Sequence, residues 1–435
     1  QPSTSLTAHA FVTVQVIDVN DLRIDEIVLE SGGREHHTGG GQAVRMSGVN
    51  MGPKQASSES VRVYYGPSQD SRRFEATSCT FVAPFGQRIR CNTAPGYGAG
   101  LLWTAVIGNF NATCVSTSTS YIRPSITSIE NATALSTAGG DVIRILGQNF
   151  GPRGLATAKS GLSVIYGNNL ELKGGVGRVA HSCSVISDTS HTAQEISCLS
   201  VSGSGTALSW SVSFPSQSSL PFIEPGSGYE NPVITELRMV TKGAHSSSLS
   251  TVGNERVLFV GTGFGKIDTV ALRVVYGAYL AQDCSVVKDH VAIECSTAPG
   301  VGGNMTVAVS IGPFGFPLSI ATTSLPITNR SLDISYQNPV LTEVSGPAML
   351  SAATVGDDSV ILRGQGFGPS VRCDSDCRTT GICNNGDVSS PEVAYGPKGS
   401  SSARYAARCC EVLNDNQISC LTAPGTGSEL SWQAS

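Results

Sequence analysis

Residues 284–302 read Cys284-Ser-Val-Val-Lys-Asp-His-Val-Ala-Ile-Glu-Cys295-Ser-Thr-Ala-Pro-Gly-Val-Gly302, a pair of cysteines around a short hairpin-like segment followed by a Gly-x-Gly turn. The same pattern occurs three more times, with cysteine pairs at Cys79/Cys91, Cys183/Cys198 and Cys410/Cys420. Only the copy at 199–205 lacks the proline. Four copies of one pattern at intervals of about 100 residues predict four tandem domains of the same fold.

Other features recur in the same order around each cysteine pair. An apolar strand leads into a glycine corner of the Gly-x-x-Phe-Gly type at 48–52, 147–151, 261–265 and 364–368. Next comes an alternating strand that ends in Tyr-Gly, at Tyr65, Tyr166, Tyr276 and Tyr395. Twelve residues after each second cysteine lies a residue that we expect to be buried: Trp103, Trp210, Val307 or Trp432. Alternation with frequent Gly and Pro is typical of an antiparallel β-sandwich.

This order of corner, Tyr-Gly, cysteine pair and Ala-Pro-Gly-x-Gly resembles the IPT/TIG repeat over residues 22–435. That immunoglobulin-like domain is found in plexins, in fibrocystin-like proteins and in large surface proteins of protists and algae. The resemblance implies an all-β chain of four tandem immunoglobulin-like (IPT/TIG, E-set) β-sandwich modules in a rod, with an extra N-terminal strand. The expected divisions are a strand or linker at 1–21 and modules 1 to 4 at 22–123, 124–231, 232–338 and 339–435.

The resemblance also implies one short disulfide within each module, joining Cys79 to Cys91, Cys183 to Cys198, Cys284 to Cys295 and Cys410 to Cys420. Five of the 13 cysteines remain: Cys114, Cys373, Cys377, Cys383 and Cys409. The last four lie in or beside an insertion in module 4, where two further disulfides with three possible connectivities are expected. A zinc site is the less favoured alternative there. Cys114 is the odd thiol, either free and buried or joined to a neighbouring chain.

Composition points to the extracellular space. Cysteine pairs and four Asn-x-Ser/Thr sequons, at Asn111, Asn131, Asn304 and Asn329, are typical of an oxidising, glycosylating compartment. A net charge of −5 excludes a basic surface for nucleic acid. No apolar run is long enough to span a bilayer, so we expect a secreted or surface protein without direct membrane insertion.

Catalytic and metal-binding motifs are largely missing, and we expect no enzymatic activity and no cofactor. His36 and His37 adjoin Glu35 in a glycine-flanked loop, which we interpret as a solvated turn rather than a chelate. Calcium has one weak candidate site at Asp18, Asn20 and Asp21, because that stretch resembles the end of a cadherin repeat.

A second weak calcium candidate is Asp374, Asp376 and Asp387, where Arg378 breaks the EF-hand spacing.

Two functions are compatible with these features. The first is an extracellular structural glycoprotein, a subunit of a filament, flagellar hair or surface coat, whose partners are covalent glycans and other copies of itself. The alternative is an adhesion or receptor ectodomain, a fragment of a longer multi-repeat protein. The first hypothesis includes a mode of assembly, because module 4 stops at 432–435 before its final strand whereas residues 10–19 alternate like a strand. It predicts that the N-terminal strand of one copy adds to module 4 of the next, through Phe11, Val12, Val14, Val16 and Ile17.

Overall fold

The computed structural model describes residues 21–52, 61–168, 177–187, 191–240, 248–267, 272–311, 319–322, 334–373, 377, 391–398 and 404–435. Within these ranges the regular structure is β-strand, apart from the short helix α1 (Thr157–Ser160) and a 3-10 turn (Pro347–Met349). This confirms the predicted all-β class. Neither helical segment of this described part is long and apolar enough to cross a membrane.

The described residues of module 1 form β1 (Arg23–Leu29), β2 (Glu35–His36), β3 (Ala43–Val49), β4 (Val61–Gly66), β5 (Phe74–Glu75), β6 (Thr77–Phe81), β7 (Arg88–Asn92), β8 (Leu101–Ile107) and β9 (Phe110–Tyr121). Those of module 2 form β10 (Ser125–Glu130), β11 (Gly139–Gln148), β12 (Ser163–Gly167), β13 (Arg178–Val179), β14 (His181–Val185), β15 (Gln194–Val201), β16 (Ser209–Phe214), β17 (Gln217–Ser218) and β18 (Phe222–Ile223).

Module 3 contains β19 (Val233–Met239), β20 (Ser248–Leu249), β21 (Arg256–Thr262), β22 (Leu272–Tyr276), β23 (Tyr279–Leu280), β24 (Gln282–Lys288), β25 (Ala292–Ser296), β26 (Val307–Ile311), β27 (Ser319–Thr322) and β28 (Ser335–Tyr336). Module 4 contains β29 (Val340–Ser345), β30 (Ser359–Gln365), β31 (Val393–Pro397), β32 (Tyr405–Ala406), β33 (Arg408–Asn414), β34 (Gln417–Leu421) and β35 (Leu430–Ala434).

Each sheet takes all its strands from one of these modules. The first sheet has the same order every time: β1-β3-β7-β6, β10-β11-β15-β14, β19-β21-β25-β24 and β29-β30-β34-β33. In module 1 the second sheet runs β2-β9-β8-β4-β5. This is the ABED-plus-CFG arrangement of an immunoglobulin-like sandwich, in which alternate side chains of both sheets meet in one core. The chain is therefore built of immunoglobulin-like β-sandwiches.

A β-bulge lies beside the first cysteine of each pair. The register of the cysteine-bearing strand shifts there in all four modules, for example between Thr77 and Thr80. The residue before the cysteine has positive φ each time: Ser78, Ser182, Asp283 and Cys409. The bulge twists this edge strand, a common way of terminating pairing at a sheet edge.

The glycine corners depend on two different properties of glycine. A Cβ on the first glycine would lie 1.9 Å from the Arg23 carbonyl oxygen at Gly48 and 1.8 Å from the Val233 carbonyl oxygen at Gly261, so only glycine fits. The last glycine has positive φ, as at Gly52. The side chain between them closes the core, since Phe150, for instance, is fully buried.

Backbone contacts group the chain into two compact units. The first holds everything up to Asn131 together with 142–199 and 209–224, and the second holds 132–141, 200–208 and everything from Pro225 onward. The expected boundaries between the four modules stay a prediction, because these two units do not follow them.

Candidate functional site

Five disulfides lie among the described residues. Four join the pairs named above: Cys79 to Cys91, Cys183 to Cys198, Cys284 to Cys295 and Cys410 to Cys420. The fifth joins Cys377 in the insertion to Cys409, the positive-φ residue of the module 4 bulge. Cys373 is also disulfide-bonded, while Cys383 lies outside the described residues. The Cys377–Cys409 disulfide thus links the insertion to β33, the edge strand of the first sheet of module 4.

Cys114 is free and buried on β9, in the core of module 1. Its thiol lies 3.4 Å from the Ser116 hydroxyl. Of the two alternatives for this residue, the structure favours the buried thiol. A side chain at this depth has no access to a neighbouring chain while module 1 is folded.

The three described sequon asparagines, Asn111, Asn131 and Asn304, are exposed, as attachment of a glycan requires. Asn329 lies outside the described residues.

Both calcium candidates fall largely outside the described residues: Asp18 and Asn20 in the first, and Asp374, Asp376 and Asp387 in the second. Asp21 is described and exposed, and its carbonyl oxygen accepts a hydrogen bond from Asn50 Nδ2 at 3.3 Å. In the described part of the chain, no three His, Cys, Asp or Glu side chains are grouped to hold a metal ion.

The interpretation of His36 as part of a solvated turn is wrong. His36 lies on β2 and is fully buried, with its ring centroid 4.0 Å from that of Tyr121. Its Nε2 is 3.2 Å from Thr119 Oγ1, which also accepts a hydrogen bond from Trp103 Nε1. Burial, and secondarily the charge of His37, lower the pKa of His36 to about 4, so the ring is neutral at pH 7.

The repeat register explains the error and supplied a signal that the local sequence did not. The glycines Gly40, Gly139 and Gly253 occupy equivalent turns, and the residues four positions before them are His36, Leu135 and Leu249. The two leucines are fully buried. The histidine therefore replaces a core leucine. An alignment of the three modules predicts that this position is buried, whereas the flanking glycines alone indicate an exposed turn.

The most conspicuous difference among the modules concerns a buried tyrosine on the final strand. In module 1 the Tyr121 hydroxyl lies 2.7 Å from that of Tyr65 and donates to the Ala94 carbonyl oxygen at 2.7 Å. In module 3 Tyr336 donates in the same way to Ala298 at 2.8 Å. These hydroxyls fix the final strand against the turn that follows the second cysteine.

The backbone of that tyrosine also pairs with its module. Tyr121 N donates to the Gly98 carbonyl oxygen and Ile122 N to the His36 carbonyl oxygen, both at 2.9 Å. The equivalent bonds in module 3 run from Tyr336 to Gly302 and from the next residue to Leu249, both at 2.8 Å. The final strand thus pairs with two segments: the turn after the second cysteine, and the segment that precedes Gly40 in module 1 or Gly253 in module 3.

Among the described residues of module 4 no tyrosine lies at the equivalent position, and a groove of about 480 Å³ lies there. The groove is lined by residues that include Thr354, Tyr395, Tyr405, Gly427, Leu430 and Trp432. Leu350, on the segment that corresponds to β2, is 97% exposed. We name this groove, with these residues, the module 4 groove.

Trp432 corrects one prediction. Trp103, Trp210 and Val307 are buried as expected, but Trp432 is only partly buried. Its ring still stacks on Tyr395, with centroids 4.2 Å apart, as Trp103 stacks on Tyr65 at 4.1 Å. The stacked pair is therefore the same in both modules, and the difference is the strand that covers it.

The segment expected to act as an assembly strand, with Phe11, Val12, Val14, Val16 and Ile17, lies outside the described residues.

No family model and no curated protein matches the sequence. Solved structures similar to it include the full extracellular region of plexin A4, the bacterial integrin-binding protein invasin and the D1–D4 ectodomain fragment of ICAM-5. They are 14%, 12% and 9% identical and cover 93%, 94% and 94% of this chain. The chain in turn covers 34%, 75% and 99% of theirs, with TM-scores of 0.21, 0.20 and 0.23. With TM-scores this low these comparisons carry no argument about function, and the fold assignment rests on the sheet order.

Proposed function

We propose that this protein is an extracellular structural glycoprotein, a subunit of a filament, flagellar hair or surface coat that assembles head to tail. Five disulfides in the described residues and the exposed Asn111, Asn131 and Asn304 support the extracellular part. Disulfides that close short loops stabilise each small module by about 2–4 kcal/mol, which suits a load-bearing polymer.

The module 4 groove carries the proposal of assembly. In modules 1 and 3 the same space holds a strand that hydrogen-bonds to two backbone carbonyls and buries an aromatic ring. The matching carbonyls in module 4 belong to Gly427 and Ala352, and Ala352 is exposed. An added strand would satisfy these carbonyls and cover Trp432, and β-strand addition gains its affinity from such main-chain bonds.

The N-terminal segment of a second copy is the strand that we assign to this groove. Its alternating apolar residues, Val12, Val14 and Val16, give it one face for the core. A contact between the start of one chain and the end of the next does not close on itself, and therefore generates a filament.

Electron microscopy of assembled material tests this proposal. Removing residues 1–20 is expected to abolish filaments, whereas removing only residues 1–9 leaves the strand and should preserve them. A sharper pair is Val14→Asp with Val16→Asp, which places charge on the buried face, against Thr13→Asp with Gln15→Asp on the other face. Filaments that survive the valine changes, with all disulfides formed, would contradict the assembly.

The second candidate is an adhesion or receptor ectodomain, part of a longer multi-repeat protein. One observation favours it: in modules 1 and 3 the covering strand comes from the same polypeptide. Intact mass and terminal sequencing of native material separate the two candidates. A native chain with its own tyrosine-bearing strand after Ser435 would support the ectodomain and exclude strand addition from a second copy.

A further inference from the structure

The three joints between successive modules all cover the same threonine of the preceding module. These residues lie two positions before the turn glycine and are 1%, 1% and 3% exposed: Thr38, Thr137 and Thr251. Thr137 Oγ1 lies 3.0 Å from His290 Nδ1, and Thr251 Oγ1 donates to Asp415 Oδ1 at 2.5 Å. His290 and Asp415 lie at the tip of the hairpin that carries the cysteine pair of the following module. The buried threonine thus marks the surface on which the next module docks.

The following module also uses a second hairpin, as the joint between modules 1 and 2 shows. There the hairpin of β16 and β17 reaches module 1, because Gln217 Nε2 donates to the Tyr121 carbonyl oxygen. The Phe214 ring on the same hairpin lies 5.1 Å from that of Tyr97. A following module therefore contacts the preceding one through two hairpin tips, one from each sheet.

Module 1 exposes apolar side chains at both of these tips. Phe110 is the counterpart of Gln217, because it pairs with Ile107 in the register in which Gln217 pairs with Phe214. It is 62% exposed. Pro84, at the tip of the cysteine-pair hairpin, is exposed as well. Exposed apolar residues at positions where another module makes contact indicate an interaction surface.

The cysteine-pair tip of module 1 has its own chemistry. The corner residue Met51 donates its N–H to the Gly86 carbonyl oxygen, and the corner phenylalanines of modules 3 and 4 donate in the same way to His290 and Asp415. Gly86 therefore takes the place of His290 and Asp415 and brings no polar side chain to the tip. Its neighbour Phe85 is partly exposed. A joint made by this tip would be apolar, without a hydrogen bond from its side chains to the threonine.

Module 4 presents the opposite half of such a joint. Thr354 lies two positions before Gly356, at the place of the three buried threonines, and is exposed. Thr426 corresponds to Tyr97, because each lies six positions after the second cysteine of its pair, and it is exposed too. Together with the exposed Pro424 these two residues define the end surface of module 4.

We propose that the end surface of module 4 is the docking site for module 1 of a second copy, in a joint that repeats the internal ones. This inference rests on the proposed function and adds a second contact to strand addition. The internal chain shows why the two contacts belong together: β9 ends at Tyr121 and β10 begins at Ser125, so the strand that completes one module leads directly into the next. Residues 1–20 lead in the same way into β1, which begins at Arg23.

Two further features agree with this pairing of unlike ends. Module 1 has ten Lys and Arg against seven Asp and Glu, whereas module 4 has six against ten. Opposite net charges favour contact of module 1 with module 4 over contact between two like modules. A glycan on Asn111, next to Phe110, is also compatible, since its counterpart Ser218 stays exposed while Gln217 contacts module 1.

Photocrosslinking in assembled full-length chains tests this docking. A photoreactive phenylalanine analogue at position 110 should link to the turn at 424–427 of another copy, and one at position 87 should link to Thr354. Position 115 is the control, because Val115 is 82% exposed but lies in the middle of β9. Phe110→Asp should raise the concentration needed for assembly about tenfold, as a loss of about 1.4 kcal/mol of binding free energy does. Val115→Asp should leave it unchanged.

The outcomes separate this docking from strand addition. If filaments form but positions 110 and 87 do not link to module 4 of another copy, or if Phe110→Asp assembles like the unmodified chain, the docking is overturned and strand addition stands alone. A native chain whose own further module covers Thr354 overturns it as well. If the full-length chain forms no filaments at all, the proposed function fails, and this docking fails with it.

Discussion

Modules 1 and 4 share one sheet and differ in the other. Their first sheets have the same strand order, and each second sheet carries a tyrosine stacked on a tryptophan. Module 1 covers that pair with β9 and β2, whereas the second sheet of module 4 has only β32, β31 and β35 among the described residues. Trp103 is fully buried and Trp432 is not. The same aromatic pair is thus enclosed where β9 and β2 cover it, and partly exposed in the described part of module 4.

The largest effect that tests this difference is loss of the tryptophan. Trp103→Ala should cost about 3–5 kcal/mol, because it empties a closed core around a fully buried ring. Trp432→Ala should cost less than half as much, because its ring already contacts water. Native-state hydrogen exchange of β4 and β31 measures the two modules separately within one chain.

Equal losses at the two tryptophans would show that the module 4 groove is closed in solution. Trp210→Ala is the matched control, since Trp210 is fully buried and stacks on Tyr166 as Trp103 does on Tyr65. Its cost should match that of Trp103→Ala.

The next effect is the response of module 1 to acid. His36 has a pKa of about 4 when folded and 6.5 when exposed, so the unfolded state binds more protons between those values. The stabilisation is fully present above about pH 6.5, falls as the pH is lowered and levels off below about pH 4, a total loss of about 3 kcal/mol. Module 4 has Ala352 at this position and should lack the response.

His36→Leu is the matched variant, since Leu135 and Leu249 occupy the same position in modules 2 and 3. Hydrogen exchange at several pH values measures the free energy of unfolding of module 1 in both chains. The assignment fails if the leucine variant keeps the acid dependence of the unmodified chain.

The repeat made most of the fold predictable. The corners, the cysteine pairs and the Tyr-Gly strands recur in register, and register fixes which residues face the core. Trp103 and Trp210 were therefore expected to be buried, and they are.

Contacts between distant segments were not predictable from the local sequence. His36 was misassigned because its glycine neighbours indicate a turn, whereas its burial depends on Tyr121, 85 residues later in the sequence. The stack of His37 on His191 joins two modules, and neither histidine lies in a sequence pattern from which its partner could be predicted. The burial of Trp432 was wrongly predicted because the register indicates which face of a strand a side chain lies on, but not whether another strand covers that face.

A smaller effect is expected at the tyrosine hydroxyl. Tyr65 and Tyr395 occupy equivalent positions, and each hydroxyl accepts a backbone N–H at 2.8 Å, from Ala94 and Ala423 respectively. In Tyr65→Phe this N–H loses its partner inside a closed core, which costs about 1–3 kcal/mol. In Tyr395→Phe water can enter the module 4 groove and replace the hydroxyl, so the cost should stay below about 1 kcal/mol. Hydrogen exchange of the two amides checks this, and equal protection losses would contradict an open groove.

The smallest effect concerns Cys114, which lies on β9, a strand with no counterpart among the described residues of module 4. Its thiol is 1% exposed, so a thiol reagent can reach it only when β9 detaches or module 1 unfolds. We expect negligible labelling of the native chain, full labelling in denaturant, and a cost of about 1 kcal/mol for Cys114→Ala. Tyr121→Phe removes the hydroxyl that fixes β9 to Ala94 and should speed labelling at neutral pH about tenfold, since a lost hydrogen bond of about 1.4 kcal/mol is a tenfold change in opening. If Tyr121→Phe leaves the labelling rate unchanged while Trp103→Ala raises it, β9 opens only with the whole sandwich, and the final strand would be an integral part of each module rather than a separable one.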